Sequence, residues 1–335
     1  MDIKTNFPLK DLNSFNIDVK AKEYIRVDSI EDFKNLTTKI KNKNKLFLGG
    51  GSNILFTKDF QGLIIHLNLK GIHSKKIDEN YIEINAMAGE NWNELVNWCI
   101  SNDYGGLENL SLIPGNVGGA PIQNIGAYGV ELKDFFISCE VYDLTNDKFK
   151  IYNYEDCIFG YRDSVFKKNK NLIVLSLKIK LKTTNHIINT SYGGINDVLK
   201  KLKIKNPTIK DISKVVCDIR TKKLPNPNLI GNAGSFFKNP VVDLKKFNWL
   251  QKNFDNVPFY KISQRDYKIP AAWLIETSGF KGKNFGNFGV HITQPLVLVN
   301  YGGANGNDIK KLAISIKNVI NKIFKIKLET EVNII

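Results

Sequence analysis

The sequence predicts a mixed α+β protein of two or three domains, and three observations carry that expectation. Its 335 residues exceed one ordinary core, since single domains usually run ~100–200 residues. Strand patterns and amphipathic helix patterns both recur along it, and 42% of its residues are hydrophobic, enough to bury real cores. Its glycine-rich loops lack the spacing of a doubly wound dinucleotide fold.

The elements follow in chain order. EYIRVDSIEDFKNL (23–36) reads as a strand and then a helix, with Ser29 as cap and Asp32 in capping-box position. KLFLGGGSNILF (45–56) reads as strand, glycine turn, strand. YIEINAMAGENWNELVNWCI (81–100) reads as a strand running into a helix from about Asn91, whose apolar face is Trp92, Leu95, Val96, Cys99 and Ile100. LIPGNVGGAPIQNIGAYG (112–129) is too rich in Gly and Pro for regular structure and predicts a long loop.

NLIVLSLKIKL (171–181) predicts a strand with Ile173, Leu175, Leu177, Ile179 and Leu181 on one face and Ser176, Lys178 and Lys180 on the other. Residues 183–210 turn polar and basic, as at a join between domains, with a short helix at most and an arm around Tyr192. DISKVVCDIRTKKLP (211–225) reopens with an amphipathic helix. NDIKKLAISIKNVINKIF (307–324) predicts a strong helix capped by Asn307 or Asp308, with Ile309, Leu312, Ala313, Ile316, Ile320 and Ile323 inward. KIKLETEVNII (325–335) predicts a final strand.

The net charge of +15 suits a nucleic-acid partner, a membrane surface, an acidic small substrate, or mere compositional drift. The lysines are spread along the chain with no nucleic-acid-binding signature, and no apolar run reaches the ~20 residues of a membrane helix. Arginine is confined to Arg26, Arg162, Arg220 and Arg265. A lysine-biased chain that keeps so few draws attention to positions where a planar, bidentate fork matters. Arg220 is expected to brace its helix end, against a partner the sequence does not reveal. Cys99, Cys139, Cys157 and Cys217 are scattered, as are the four histidines, so reduced thiols and no metal site are expected, in the cytoplasm.

GGGSN (49–53) can bring its backbone close to a ligand and form a nest for a pyrophosphate. The plainer alternative is a hairpin turn. Ile54 stands where a dinucleotide fingerprint needs its third glycine, and no helix follows. The loop at 114–129, also glycine-rich, is longer than a hairpin needs and too apolar for disorder. Two backbone cradles suggest one long cofactor with a phosphate centre, and FAD fits better than a mononucleotide.

LGGGSNIL, SLIPGNVGGAPIQNIGAYG, GYRDSVFK, GNAGSFFKNP, IPAAWLIETSGFKGKNFGNFGVH and LETEV, in that order, closely resemble the UDP-N-acetylenolpyruvoylglucosamine reductase family. TSYGGI, around Tyr192, is similar to the lid of that family's first structural type. The resemblance implies an α+β fold: an FAD-binding region of the vanillyl-alcohol oxidase (PCMH) type and a C-terminal α+β substrate domain. The expected divisions are 1–70 and 71–190 as two FAD-binding subdomains, 191–212 as linker and lid, and 213–335 as substrate-binding domain.

It further implies that NADPH reduces bound FAD, which then reduces the enolpyruvyl ether of UDP-N-acetylglucosamine-enolpyruvate to UDP-N-acetylmuramate for peptidoglycan. FAD would be held by Gly49, Gly50, Gly51, Ser52, Asn53, Pro114, Gly115, Asn116, Val117, Gly118, Gly119, Asn124, Gly126 and Ala127. The partner is a UDP-sugar; nucleic acid and membrane are not expected, and a monomer is.

Three implied catalytic residues make chemical sense. Charge builds beside the substrate carboxylate, and Arg162 can meet it bidentately without losing its proton; the plainer alternative is a structural pair with Asp163. Ser235 would deliver a proton to a carbanion basic enough to accept from an alcohol. Glu331 matches the family's third position, although strand alternation puts Glu329 on the same face and does not choose between them. Tyr192, Lys223, Lys238, Asn239 and Gln294 are implied substrate contacts, with Lys222 a near-equal candidate beside Lys223. Asn333 departs from an Arg common in relatives. Rival readings are another flavin oxidase or dehydrogenase of the vanillyl-alcohol oxidase type and, in a different class, a basic nucleic-acid-binding protein. Flavoenzymes of the first kind often tether the ring through His or Cys, and neither glycine loop has one.

Overall fold

The computed structural model describes residues 2–40, 43–192 and 194–335. The chain divides into two compact units, each assembled from separate stretches. The first takes Met1–Phe7, Ala21–Gly50 and Gln61–Lys222; the second takes Pro8–Lys20, Gly51–Phe60 and Lys223–Ile335.

The first unit holds two large sheets among its described residues. One has four strands in the order Lys4–Pro8, Lys20–Val27, Phe60–Leu67, Lys45–Leu48, the last two parallel. The other has five, in the order Lys148–Asn153, Phe136–Asp143, Leu172–Lys182, Tyr81–Met87, Ile72–Lys76, all antiparallel. The helix Ile30–Thr37 starts where expected, its Asp32 N–H donating to Ser29 Oγ at 3.0 Å, a cap that contributes about 1 kcal/mol. Phe33 and Leu36 of this helix pack with Ile25, Val27, Leu63 and Ile65 of the first sheet. The helix Trp92–Ser101 is capped by Asn91 and buries all five residues of its predicted face. We propose that the parts of 1–70 and 71–190 that lie in this unit act as two subdomains, because the two sheets part between Leu67 and Ile72.

The long central strand departs from simple alternation. Glu140 pairs with Ser176 and the next residue, Val141, with Val174, so Leu175 is an extra residue in its strand. Such a bulge reverses which face each later side chain takes. Ile173 and Leu175 therefore pack with the helix Ile30–Thr37, whereas Leu177, Ile179 and Leu181 pack with Trp92, Leu95 and Cys99. Period-two reasoning had placed all five together; the bulge gives this strand two cores to serve.

KLFLGGGSNILF gives strands but no hairpin. Lys45–Leu48 pairs with Phe60–Leu67, and Ile54–Leu55 pairs in parallel with Asn333–Ile334. The 112–129 loop contains one turn of 3-10 helix at Val117–Gly119 and a two-residue strand at Gly126–Ala127. The polar stretch after residue 183 carries the short helix Ile195–Lys201, and the amphipathic helix is Ile209–Lys223. Gly193, inside the expected lid, lies outside the described residues.

The second unit contains a three-stranded sheet in the order Val241–Asp243, Asp266–Lys268, Tyr260–Lys261, and the helices Leu244–Asn253, Ala271–Thr277 and Gly306–Phe324. The last of these is capped by Asn305, not by Asn307 or Asp308, because Asn305 Oδ1 accepts from Asn307 N–H at 2.8 Å. Its inward face ends on Phe324, not on the exposed Ile323, as a period of 3.6 requires after Ile316 and Ile320. The final strand is shorter than expected, regular only at Asn333–Ile334.

Candidate active site

Within the first unit the two glycine loops touch backbone to backbone. A Cβ added at Gly50 would lie 3.1 Å from Gly115 Cα and 2.7 Å from Asn116 Oδ1. The 114–119 loop is pinned to the turn before the helix Trp92–Ser101. Trp92 N–H donates to Gly115 O, Val117 N–H to Glu90 O and Gly118 N–H to Ala88 O, each at 2.9 Å. Behind the loop Val117 is fully buried and Gly118 presses on Ala88. At Gly119 nothing stands within 4 Å of where a Cβ would be, so that side is open. Asn124 is fully buried, donating to Glu131 Oε2 and Gly160 O and accepting from Lys133 N–H. Its side chain thus ties the loop to GYRDSVFK. In the second unit, Gly51 has φ +60° and would place a Cβ 2.0 Å from Leu12 O. Only glycine fits there.

Arg162 sits beside the far end of the 114–129 loop. Its Nη2 donates to Gly126 O at 2.5 Å, and its guanidinium lies 5.5 Å from the Tyr161 ring. Its own backbone is left-handed at φ +53°, a conformation costing an arginine ~1–2 kcal/mol, offset by the turn around it. Gly160 and Asp163 bridge across that turn, Lys167 Nζ donates to Arg162 O, and Ser164 caps the next helical turn. Asp163 pairs with Lys168 at 3.1 Å.

Arg220 is the residue whose partner the sequence did not reveal, and its buried Nε has no hydrogen-bond partner among the described residues. Burial lowers its hold on a proton; Tyr128 and Cys217 oppose that, and the charge of Arg162 adds to it. Two cations thus stand near one another, Arg220 half-buried with its Nε enclosed. Tyr192 is 41% exposed, and its Cβ lies 3.4 Å from where a Cβ on Gly129 would be. Asn109, almost fully buried, donates to both Tyr128 O and Asn189 O at 3.0 Å, joining the glycine loop to the Tyr192 segment.

The second unit assembles the other candidates around GNAGSFFKNP. A Cβ on Gly231 would meet Phe15 O at 2.3 Å, and Gly234 takes φ +66°. Asn232 shapes the turn between them, accepting from Gly234 N–H and donating to Pro225 O and Ile230 O. Phe236 and Phe237 are buried anchors with ring centroids 5.2 Å apart. Between Gly234 and these anchors Ser235 is half-buried, bridged to Val297. Glu331 is held next to it in the chain pairing: its N–H donates to Phe236 O at 2.9 Å. Lys238 pairs with Glu329 at 3.3 Å and its N–H donates to Glu329 O. Glu329 is thereby engaged with Lys238.

Asn239 Oδ1 accepts from Ala271 N–H at 2.8 Å, at the start of a helix. Lys223 is exposed, its carbonyl accepting from Thr293, and Gln294 N–H donates to His291 Nδ1 at 3.3 Å. Burial lowers the His291 imidazole below its ordinary value. Asn109 and Asn232, whose side chains tie these loops together, were not among the residues singled out from the sequence. The NAG turn signals Asn232; no periodicity marks Asn109.

A family model of the FAD binding domain matches residues 21–148, and one of the UDP-N-acetylenolpyruvoylglucosamine reductase C-terminal domain matches residues 226–335. UDP-N-acetylenolpyruvoylglucosamine reductase of Flavobacterium johnsoniae is 48% identical over 337 residues, covering 100% of both chains. The chain belongs to the UDP-N-acetylenolpyruvoylglucosamine reductase family. The reductase of Amoebophilus asiaticus is 47% identical, again over 100% of both chains. The crystal structure of the reductase from Thermus caldophilus matches with a TM-score of 0.67 at 22% identity, covering 99% of this chain and 98% of that one, and shares its fold. The α+β class expected from the sequence holds, with an FAD-binding region and a C-terminal domain of this reductase family. The chain is accordingly an oxidoreductase.

The residues present fit FAD. Gly50 and Gly115 bring main chain against main chain where a side chain would intrude, and the missing side chain at Gly119 faces open space. A ligand can therefore rest on backbone there. Among the described residues no helix is long and apolar enough to cross a membrane, and no three metal-binding side chains come together.

Proposed function

We propose that this chain reduces the enolpyruvyl ether of UDP-N-acetylglucosamine-enolpyruvate to UDP-N-acetylmuramate with NADPH. The supporting observation is near-half identity, over full length, to relatives bearing the reductase name. FAD, held on the backbone of Gly50, Gly115 and Gly119, would when reduced by NADPH supply the hydride equivalent for the terminal enolpyruvyl carbon.

The chain's own residues handle the charge that follows. Electron density gathers on the carbon next to the substrate carboxylate. Arg162 meets that carboxylate with its fork, held ready by Gly126. Arg220, whose buried Nε has no hydrogen-bond partner among the described residues, offers a second cation to the same anion; an arginine so placed is costly until an anion arrives. Ser235 gives its proton to the charged carbon, completing addition of two hydrogens across the double bond, and its alkoxide is reprotonated from solvent. Glu331 orients this exchange. Lys223, Asn239, Gln294 and the hydroxyl of Tyr192 bind the diphosphate and sugar, with Lys238 near the phosphates. Phe236 and Phe237, both buried, hold Ser235 in place from behind.

The test is direct. Purified protein should carry a flavin spectrum and oxidise NADPH only when the enolpyruvyl sugar nucleotide is added, in a 1:1 ratio. A colourless protein, or NADPH oxidation indifferent to that substrate, would refute the proposal.

A further inference from the structure

Glu331 is gripped from two directions inside the second unit. On one side its segment runs antiparallel to the one carrying Ser235: Glu331 N–H donates to Phe236 O at 2.9 Å, Lys238 N–H to Glu329 O at 3.0 Å, and Phe237 bridges Thr330. On the other side stands Asn53, the last residue of GGGSN. Asn53 Nδ2 donates to Glu331 O at 3.2 Å. Asn53 O in turn accepts twice from Asn333, from its N–H and from its Nδ2, both at 3.1 Å. The peptide units flanking Val332 are thus closed in a ring of amides, with Val332 itself buried.

We propose that Asn53 and Asn333 are positioning residues: their side-chain amides lock the Glu331 backbone against the segment bearing Ser235, fixing the spacing of carboxylate and alcohol for the protonation step. The inference rests on the roles proposed above for Ser235 and Glu331. Its physical basis is that a side chain starts from its backbone. Both the N–H and the C=O of Glu331 have partners, one leading to Ser235 and one to Asn53. The side-chain amide of Asn333 adds a second bond to the one its N–H makes to the Asn53 carbonyl. Asn53 therefore serves the carboxylate as well as the glycine loop to which it belongs.

The test is Asn333→Leu, which removes the Nδ2 bond and leaves the backbone pairing. NADPH should reduce the flavin at the wild-type rate, and the sugar nucleotide should keep its KM within about twofold. The kcat for reoxidation should fall about tenfold, inside the ~10²-fold that a misplacement of ~1 Å can cost, and its pH–rate profile should move. Asn333→Ser, which keeps a shorter donor, should recover part of the loss; it also serves if leucine lowers the melting temperature. Wild-type reoxidation in both variants, or equal slowing of both half-reactions, overturns the proposal. Glu331→Gln and Ser235→Ala run alongside: wild-type reoxidation in those two would overturn the underlying reading of the site instead.

Discussion

The guanidinium of Arg162 donates to the carbonyl of Gly126 at 2.5 Å. That one bond ties the candidate anion-binding residue to the flavin loop. It occupies part of the fork and fixes the plane of the guanidinium. Arg162→Lys should keep the charge but lose the plane. We expect flavin reduction by NADPH to change little, and reoxidation by the sugar nucleotide to fall about 10²–10³-fold, the usual cost of removing a preorganised donor. Stopped-flow absorbance of the two half-reactions checks this; near-wild-type reoxidation in the lysine variant would count against a bidentate role.

Two glycines should answer differently to the same substitution. Gly51→Ala forces a Cβ to 2.0 Å from Leu12 O at positive φ and should impair folding itself. Gly119→Ala meets nothing within 4 Å and should leave the melting temperature of flavin-free protein unchanged while weakening FAD binding. Calorimetry and flavin titration together separate these effects. Equal FAD affinity in Gly119→Ala would remove that glycine from the cradle.

How much of this was legible in the sequence depends on how local each cause is. The Ser29 cap and the inward face of Trp92–Ser101 follow from spacing alone, and both appear as expected. The bulge at Leu175 does not, because it is set by what the neighbouring strand demands at Glu140 and Val141. GGGSN looked like a possible hairpin, but its following strand pairs with residues almost 280 positions later. The roles of Asn53, Asn109 and Asn333 rest on such distant contacts, invisible to any period. The motifs proposed to carry the chemistry stand out in the sequence because glycine, serine and arginine suit backbone approach, a proton and a bidentate cation respectively. Which of Lys222 and Lys223 binds substrate is not decided by charge alone.

Thiol chemistry offers an independent check on packing. Cys99, Cys139 and Cys157 are buried, and burial pushes the Cys99 thiol up to about 12. Cys139 is raised by its contact with Cys157 and by burial. Cys217 is only half-buried, though raised by burial too. A disulfide reagent at pH 8 should find at most one reactive thiol in the native protein and all four after denaturation. Rapid labelling of Cys99 in the folded state would contradict the packing of its helix.

A pH effect on stability is expected at Asp143. Its carboxylate accepts from Lys150 Nζ at 2.6 Å, from Asn146 Nδ2 at 2.7 Å and from the N–H groups of Thr145 and Asn146. The hydrogen bond from Lys150 leads the causes that hold it well below the ordinary carboxylate range. A depressed folded-state value means the contribution is present above the unfolded value, ~3.9, and is lost as pH falls through the folded one. Asp143→Asn should therefore lower the melting temperature at pH 7 by a few degrees, about 2–4 °C per kcal/mol for larger domains. The gap should narrow below pH ~4. A gap independent of pH would show that the charge is not what matters.

The central claim is that Ser235 delivers the proton that completes reduction of the sugar nucleotide, and Ser235→Ala followed through the two half-reactions tests it most directly. The account predicts flavin reduction by NADPH at the wild-type rate and a reoxidation by the enolpyruvyl sugar nucleotide that collapses by orders of magnitude. Equal slowing of both steps, or reoxidation at the wild-type rate, would contradict it.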